Sequence, residues 1–184
     1  MKKTHQLLLL SLAAAVLTGC IKDRDNVLYV SVPQQRLELR HLGLPVASYG
    51  VSTSKYGLGD TPRSNKTPLG TMEVARKIGS GKPLGTVFKS RKPTGEILQP
   101  DAPGRDPIVT RILWLRGLEP QNQNAYGRYI YIHGTPEERN IGSPVSYGCI
   151  RMKSRDIIDL YDRIGTGARV LVINGPFPPV EVGP

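Results

Sequence analysis

Two short segments of this 184-residue sequence carry side chains that could perform nucleophilic chemistry together. The first, YIHGT at residues 131–135, places His133 at the end of a β-prone stretch, and the second, SYGCIR at 146–151, contains Cys149. A loop of this length can return Cys149 to the end of the strand. A neighbouring imidazole can take the proton of a thiol, whose unperturbed pKa is about 8.5, and form a thiolate–imidazolium pair. The sequence therefore predicts a cysteine–histidine dyad suited to acyl transfer.

The residues beside this dyad have types that would help it react. A backbone carbonyl such as that of Gly134 can accept the second ring proton of His133 and so orient the imidazole. Gly148 permits a tight turn before the nucleophile, so the backbone N–H groups of Gly148 and Cys149 can point at a developing oxyanion. From residue types alone, the alternative is a buried structural cysteine beside a hydrogen-bonded histidine.

The counts of cysteine and histidine limit the other possibilities. The chain has two cysteines, Cys20 and Cys149, and three histidines, His5, His41 and His133. These numbers exclude a scaffold of several disulfides and a four-cysteine metal site, and they leave few ligands for zinc. We expect no metal and no organic cofactor, because a thiol and an imidazole suffice for acyl transfer. His41 begins a predicted hairpin turn at 41–43, so we expect it to lie exposed.

The first twenty residues have the pattern of an export and lipidation signal. Two lysines at positions 2 and 3 precede an apolar stretch at 7–17, which is too short to span a bilayer. The following LTGC, at 17–20, resembles the bacterial lipoprotein box, in which cleavage precedes a cysteine that receives a diacylglycerol. The alternative is a plain signal peptide with a chance cysteine.

The lipoprotein interpretation predicts a signal peptide over 1–19, a lipidated tether over 20–26 and a membrane anchor at Cys20. Similar lipoproteins of Gram-negative bacteria go to the outer membrane unless Asp follows the cysteine, and here Ile21 follows it. We therefore predict the periplasmic face of the outer membrane. Cys149 would then be a free thiol in a compartment where thiols usually form disulfides, which favours a catalytic role.

Composition indicates a globular, turn-rich domain with an excess of positive charge. The chain is 39% hydrophobic and has 20 Gly and 16 Pro, which argues against a helical bundle or coiled coil. The formal net charge of +10 favours an anionic partner, such as nucleic acid, lipid headgroups or an acidic cell-wall polymer. Export and the lack of a basic–aromatic motif in the sequence exclude nucleic acid.

Alternating and β-branched segments predict strands within one domain at 27–174, followed by a Pro-rich tail at 175–184. The strands are expected at 27–32, 36–40, 45–51, 71–76, 108–115, 128–133 and 170–173. One helix is expected at 154–164, capped by Ser154 and with an apolar stripe of Ile157, Ile158, Leu160, Tyr161 and Ile164.

The stretch from Gly79 to Arg105 has little hydrophobic periodicity and several Gly and Pro residues. Long irregular segments inside a compact domain are uncommon and are often functional. We predict that this segment forms a lid over the Cys149–His133 site, and a solvated surface loop is the alternative.

The amino-acid sequences of these motifs resemble those of the L,D-transpeptidase catalytic domain, the YkuD-like family. The similarity lies in IHGT at 132–135, SYGCIRM at 146–152, the upstream TPLG at 67–70 and the final strand near 167–174. The resemblance covers about residues 27–174 and implies a mainly β fold, an L,D-transpeptidase-type β-sandwich with one or two short helices.

The resemblance also implies a role for each residue of the site. Cys149 is expected to be the nucleophile and His133 the general base and acid, with Gly134 supplying the orienting carbonyl. Further residues are expected to bind the oxyanion or shape the substrate site: Ser146, Tyr147, Gly148 and Arg151. Many family members have His at the position of Tyr147, which puts in doubt substrate or oxyanion details but not the dyad. Arg151 could hold a substrate carboxylate or form a structural ion pair.

By the same resemblance, the substrate is peptidoglycan. Cys149 would attack the bond between a diamino acid and D-Ala in a stem peptide and form a thioester. If the diamino acid of a second stem attacks the thioester, the product is a 3→3 cross-link. If the lysine of a lipoprotein attacks it, the product is a protein attached to peptidoglycan. If water attacks the thioester instead, the enzyme is an L,D-carboxypeptidase or, on an existing protein linkage, an amidase that releases the attached protein. A non-catalytic wall-binding lipoprotein is the alternative outside enzymes.

Overall fold

The fold of residues 22–180 is described by a computed structural model of the chain. The predicted signal peptide and the lipidation site at Cys20 lie outside this range, and so does the end of the Pro-rich tail at 181–184. Between residues 22 and 180, no helix is long and apolar enough to cross a membrane.

Ten strands and one α-helix are found within residues 22–180. The strands are β1 (Asn26–Ser31), β2 (Arg36–His41), β3 (Leu44–Gly50), β4 (Gly70–Ile78), β5 (Thr86–Lys89), β6 (Lys92–Ile97), β7 (Ile108–Gly117), β8 (Tyr131–Gly134), β9 (Ile150–Met152) and β10 (Arg169–Ile173). The helix α1 (Ser154–Arg163) follows β9, and short 3-10 turns lie at Pro120–Asn122 and Glu138–Asn140. The strands form one sheet in the order β3-β2-β1-β10-β4-β7-β5-β6, with β8 paired to β7 and β9 paired to β8.

A large apolar cluster packs one face of the central strands against α1. Because side chains alternate along a strand, every second residue of the central strands enters this cluster. Its members include Leu28, Val30, Leu37, Leu39, Met72, Val74, Leu113, Leu115, Ile132, Ile150, Ile157, Leu160, Val170 and Val172. The mainly β fold with a short helix, which the sequence predicts, is confirmed. Six of the seven predicted strands and the helix lie within two residues of their expected ends.

The seventh predicted strand, at 128–133, begins later than expected. Strand β8 starts at Tyr131, and the residues before it form a turn. In that turn the Arg128 N–H donates to the Asn124 carbonyl at 2.8 Å, and the Ile130 N–H donates to the Ala125 carbonyl at 3.0 Å. Residues 128–130 therefore form a turn stabilised by local backbone hydrogen bonds, although their side chains favour a strand.

The predicted cap of α1 is wrong. Ser154 lies inside the first turn, after the N-cap residue Lys153, and its Oγ is 2.8 Å from Oγ1 of Thr110. The Glu138 carboxylate accepts the Ser154 N–H at 2.8 Å instead. A carboxylate at this position complements the positive end of the helix dipole.

The segment 79–105 is not irregular throughout, because it contains the hairpin of β5 and β6. Strand β5 pairs with β7, while β6 pairs with β5 alone and is exposed at nearly every position. A strand exposed on both faces needs no alternation of apolar and polar residues, which is why hydrophobic periodicity did not reveal it.

Both ends of the described chain pack against the domain. The Asp23 carboxylate accepts the Gly165 N–H at 2.6 Å, and the Asp23 N–H donates to the Thr166 carbonyl. At the other end, the Arg40 guanidinium donates to the carbonyls of Pro178 and Pro179. The predicted tether and the predicted tail are thus partly integrated into the fold.

Candidate active site

Strands β8 and β9 bring the two sequence motifs side by side. They pair in parallel, with Ile132 opposite Ile150 and His133 opposite Arg151. Cys149 directly precedes β9, two residues before Arg151. Since side chains alternate along a strand, the His133 and Cys149 positions face the same side of this strand pair. His133 is buried, at 5% exposure, and Cys149 is partly buried.

The turn that carries Cys149 is held by the side chain of Ser146. Its Oγ donates to the Cys149 carbonyl at 2.5 Å and accepts the Gly148 N–H at 3.3 Å. Gly148 has φ +115°, and a Cβ there would lie 3.3 Å from the Lys66 carbonyl oxygen. A residue other than glycine would strain this turn, so Gly148 fixes the approach of the backbone to the thiol. In this arrangement, Ser146 already binds one of the two N–H groups expected to face an oxyanion.

Thr67, the first residue of the TPLG segment, supports the same turn from a neighbouring loop. Its buried Oγ1 donates to the Gly148 carbonyl at 3.0 Å and accepts the Ser54 N–H at 3.0 Å. A short bridge between Ser54 and Ser146 runs beside these bonds. The loop around Thr67 therefore sets the position of the nucleophile turn.

The tautomer of His133 follows from its hydrogen bond to Gly134. Its Nδ1 lies 2.8 Å from the Gly134 carbonyl oxygen, and because a carbonyl only accepts, Nδ1 carries the proton. Nε2 is then free of hydrogen and can accept the proton of a thiol. A Cβ on Gly134 would come within 2.7 Å of the Val109 carbonyl on β7, so only glycine allows this approach of the strands.

Burial favours the neutral forms of both the thiol and the imidazole at rest. Burial lowers the pKa of His133 to about 4, although the bond to Gly134 opposes this change. Burial raises the pKa of the Cys149 thiol to about 11, against the opposing influence of a backbone hydrogen bond and of nearby arginines. The thiol donates to the Tyr129 carbonyl at 3.4 Å. These pKa directions oppose the thiolate–imidazolium pair expected from the sequence and favour proton transfer during attack.

Arg151 lies in an ion-pair network beside the dyad. Its guanidinium is 2.6 Å from the Asp106 carboxylate and 3.6 Å from that of Glu137, and the side chain is 10% exposed. Thr135 of the IHGT motif donates to Asp106 at 2.5 Å, which connects the two motifs through one carboxylate. Of the two roles considered for Arg151, this geometry favours the structural ion pair.

Tyr147 is the most exposed of the expected site residues. Its ring is 55% exposed, and its hydroxyl lies 3.2 Å from Lys55 Nζ. The Lys55 ammonium is also 4.6 Å from the centre of the Tyr147 ring and 5.4 Å from that of Tyr56, and the two ring centres are 5.6 Å apart. The position that is often His in the family therefore carries a tyrosine with a lysine partner.

The tip of the β5–β6 hairpin reaches the aromatic wall next to the thiol. Arg91, in the turn, lies 4.9 Å from the ring centres of both Trp114 and Tyr129 and donates to the Tyr131 hydroxyl at 3.3 Å. Cys149 packs against the apolar cluster that contains Trp114 and Tyr131. Part of the segment predicted as a lid thus lies at the site, although as a hairpin.

A cavity of about 280 Å³ opens beside Cys149. It is lined by Pro62, Arg63, Asn65, Gly127, Arg128, Ile130, Tyr147 and Cys149. Two arginines in this wall give the cavity a cationic character. Within residues 22–180, no group of three His, Cys, Asp or Glu side chains is arranged to hold a metal ion.

Several residues at the site carry no signal in the sequence. Asp106 and Glu137 meet Arg151 only through the fold, and Arg63 enters the cavity through a loop far from Cys149 in the chain. The backbone carbonyl of Tyr129 accepts the Cys149 thiol, and because every residue has a carbonyl, the residue type at 129 does not indicate this contact.

The fold and the site define a β-rich domain in which a buried imidazole on β8 and a thiol directly before β9 lie on neighbouring segments. Residues 25–172 match the family model described as YkuD, the L,D-transpeptidase catalytic domain. The chain therefore belongs to the L,D-transpeptidase catalytic domain family, as its motifs suggest.

Relatives and solved structures agree with this family. Over 53 residues, 29% of this chain and 17% of the relative, the sequence is 42% identical to the Escherichia coli K12 protein named "Probable L,D-transpeptidase YcfS". The fold is similar to an L,D-transpeptidase from Mycobacterium smegmatis, with a TM-score of 0.54 and 17% identity over 81% of this chain and 58% of that chain. It is also similar to an LD transpeptidase solved in complex with imipenem, with a TM-score of 0.51 and 17% identity over 81% and 59% of the two chains. The chain thus spans less than two thirds of these proteins.

Proposed function

We propose that this chain is a periplasmic cysteine L,D-transpeptidase that acts on peptidoglycan stem peptides. One observation carries the proposal. Cys149, the free thiol of residues 22–180, lies on a glycine turn beside the buried His133, whose Nδ1 is held 2.8 Å from the Gly134 carbonyl. An imidazole fixed in this tautomer can accept a thiol proton at Nε2, as cysteine acyl transfer requires.

The first half of the reaction forms a thioester. The thiol proton moves to His133 Nε2 while the Cys149 sulfur attacks the carbonyl carbon of the diamino acid at stem position three. The carbon–nitrogen bond to D-Ala then breaks, and His133 returns the proton to the departing amine. Because both groups are neutral at rest, proton transfer and attack occur together, as in general base catalysis.

The second half depends on the acceptor. An amine of a second stem donates a proton to His133 and attacks the thioester, which forms a 3→3 cross-link and restores the thiol. A protein lysine would give an attached lipoprotein, and water would give a tripeptide. The proposed function is the amine-dependent branch, and the hydrolytic branch uses the same residues. The neutral thiol and imidazole need no metal or organic cofactor for these steps.

We propose further that the lipid anchor at Cys20 holds the domain on the periplasmic face of the outer membrane. The LTGC segment at 17–20 and the following Ile21 support this localisation. Cys20→Ala should leave the precursor unprocessed and move the protein out of the membrane fraction. An unchanged membrane fraction, with no acyl mass on the N-terminal peptide, would contradict the anchor.

The function is tested by incubation with purified tetrapeptide muropeptides and mass spectrometry of the products. Transpeptidation predicts cross-linked dimers and free D-Ala, while tripeptides without dimers would identify the hydrolytic branch. No product from an intact, folded protein would favour the non-catalytic wall-binding alternative. His41→Gln is a suitable control, since His41 is exposed and bonded to Asn26 far along the sheet from β8.

A further inference from the structure

Two arginines line the cavity beside Cys149, and they differ in whether the guanidinium is paired with a carboxylate. Both Arg63 and Arg128 line it, together with the thiol-bearing residue and Tyr147. A guanidinium binds carboxylates with well-defined geometry, so an arginine without an acidic partner near a reactive group is a candidate to bind substrate. The surroundings of the two side chains decide which of them is available.

Arg128 is fully engaged within the protein. Its guanidinium is 2.8 Å from the Asp60 carboxylate, and both side chains are less than 10% exposed. It also donates to the Lys66 carbonyl at 2.7 Å and to the Gly59 carbonyl at 3.1 Å. These bonds connect the loop 59–66 to the turn before β8. Arg128 therefore acts as a structural tie, and its guanidinium is already occupied by these bonds.

Arg63 lies on the loop that Arg128 fixes, and its charge is not cancelled. The residue is exposed and has φ +63°. It takes part in none of the ion pairs formed within residues 22–180. A bulky residue in the left-handed region is uncommon, and here it follows Pro62 at the cavity wall. The loop therefore presents an unpaired cation in the cavity that contains the thiol.

We propose that Arg63 binds the terminal carboxylate of the substrate and so restricts the enzyme to bonds next to a chain end. This inference rests on the proposed function, in which the departing group is an amino acid. In such a group one carbon separates the amide nitrogen from the carboxylate. A cation in the cavity at Cys149 can therefore reach that carboxylate while the sulfur attacks the neighbouring carbonyl. A peptide that continues beyond this residue, or ends in an amide, lacks the charge.

The charge of the cavity can be measured without turnover. Iodoacetate and iodoacetamide alkylate the same sulfur with loss of iodide, but only iodoacetate is an anion. We expect Arg63→Gln to lower the ratio of the iodoacetate rate to the iodoacetamide rate at Cys149 by about threefold, the size of effect that one unit charge in the same cavity has in a largely aqueous medium. Arg63→Lys should keep the ratio. Arg155→Gln, on the exposed face of α1 and lining a different cavity, is the matched control.

Specificity is measured with two tetrapeptides that end in D-alanine and in D-alaninamide. We expect the wild type to prefer the free acid in kcat/KM by about tenfold or more, as one charge-assisted hydrogen bond would give. Arg63→Gln should abolish the preference, mainly through KM, and Arg63→Lys should retain part of it.

The two assays separate the inference from the function on which it rests. If the alkylation ratio is the same in wild type and Arg63→Gln, the carboxylate site is wrong even if both peptides are cleaved. If the ratio falls in Arg63→Gln while the wild type cleaves neither peptide, the proposed function is wrong and the anion site stands. Equal cleavage of acid and amide by the wild type would overturn the role in specificity.

Discussion

The Cys149 thiol donates its hydrogen to the carbonyl oxygen of Tyr129, which lies 3.4 Å from the sulfur. Tyr129 has φ +59°, a left-handed conformation that is uncommon for an aromatic residue and that sets the direction of this carbonyl. In the reaction that we propose, the thiol exchanges this acceptor for Nε2 of His133. The resting thiol is then held by the Tyr129 carbonyl, and its proton would move to His133 when a substrate is in place.

The neutral pair predicts an unusual pH profile for acylation. His133 must be unprotonated to act as base, and since its pKa is lowered to about 4, the imidazole stays neutral well below pH 6.5. The rate of thioester formation with a tetrapeptide should then be flat from pH 8 to about pH 5 and fall only as the pH approaches 4. His133→Gln should lower this rate by about 10²–10⁴, the usual contribution of a general base.

Stopped-flow acylation across this pH range checks the prediction. The pH dependence of Cys149 alkylation by iodoacetamide tests the protonation of the thiol separately. A thiol pKa raised to about 11 predicts an alkylation rate that still rises above pH 9. An acid limb centred near pH 6.5 would contradict the lowered pKa of His133. An alkylation plateau below pH 8 would instead indicate the thiolate–imidazolium pair.

Asp106→Asn tests whether Arg151 is part of the framework. The change leaves the buried guanidinium with only the more distant Glu137, so we expect a loss of about 2–3 kcal/mol in the free energy of unfolding. The control Glu96→Gln removes the exposed pair with Arg105 and should cost less than about 1 kcal/mol. Urea denaturation measures both. Similar small losses, together with a raised KM in Asp106→Asn, would favour the carboxylate-binding role of Arg151.

Arg91→Ala tests whether the β5–β6 hairpin acts as a lid. Loss of the contacts with Trp114, Tyr129 and Tyr131 should release the hairpin tip. A looser hairpin would admit water to the thioester, so the ratio of tripeptide to cross-linked dimer should rise while the rate of thioester formation changes little. Lys92→Ala, an exposed change in the same hairpin, is the control. An unchanged product ratio in Arg91→Ala would mean that the hairpin is a passive surface element.

The parts of the fold predictable from the sequence are those with local signals. Strands β1, β2, β4 and β10 show alternation because one face of each enters the core, and α1 shows an apolar stripe for the same reason. Strand β7 is instead a β-prone run that is buried on both faces. The His133 and Cys149 motifs are also short and contiguous. Their positions on adjacent strands follow from the loop length between them.

The parts that could not be predicted depend on contacts between distant residues. The Glu138 carboxylate caps α1 across sixteen residues, so Ser154 was a reasonable but wrong choice of cap. Strand β6 is exposed on both faces and shows no alternation. The neutral state of the dyad arises from burial by the whole domain, which the residue types at 133 and 149 do not reveal.

The most direct test of the proposed chemistry is the intact mass of the protein during reaction with a tetrapeptide. The thioester should appear as a gain equal to the mass of the tetrapeptide less one alanine, and peptide mapping should locate it on Cys149. Cys149→Ala should remain folded, form no adduct and release no D-Ala. Cys149→Ser should be nearly as inactive, because a hydroxyl is far harder to deprotonate than a thiol. Release of D-Ala by Cys149→Ala at the wild-type rate, or an adduct on another residue, would contradict Cys149 as the nucleophile.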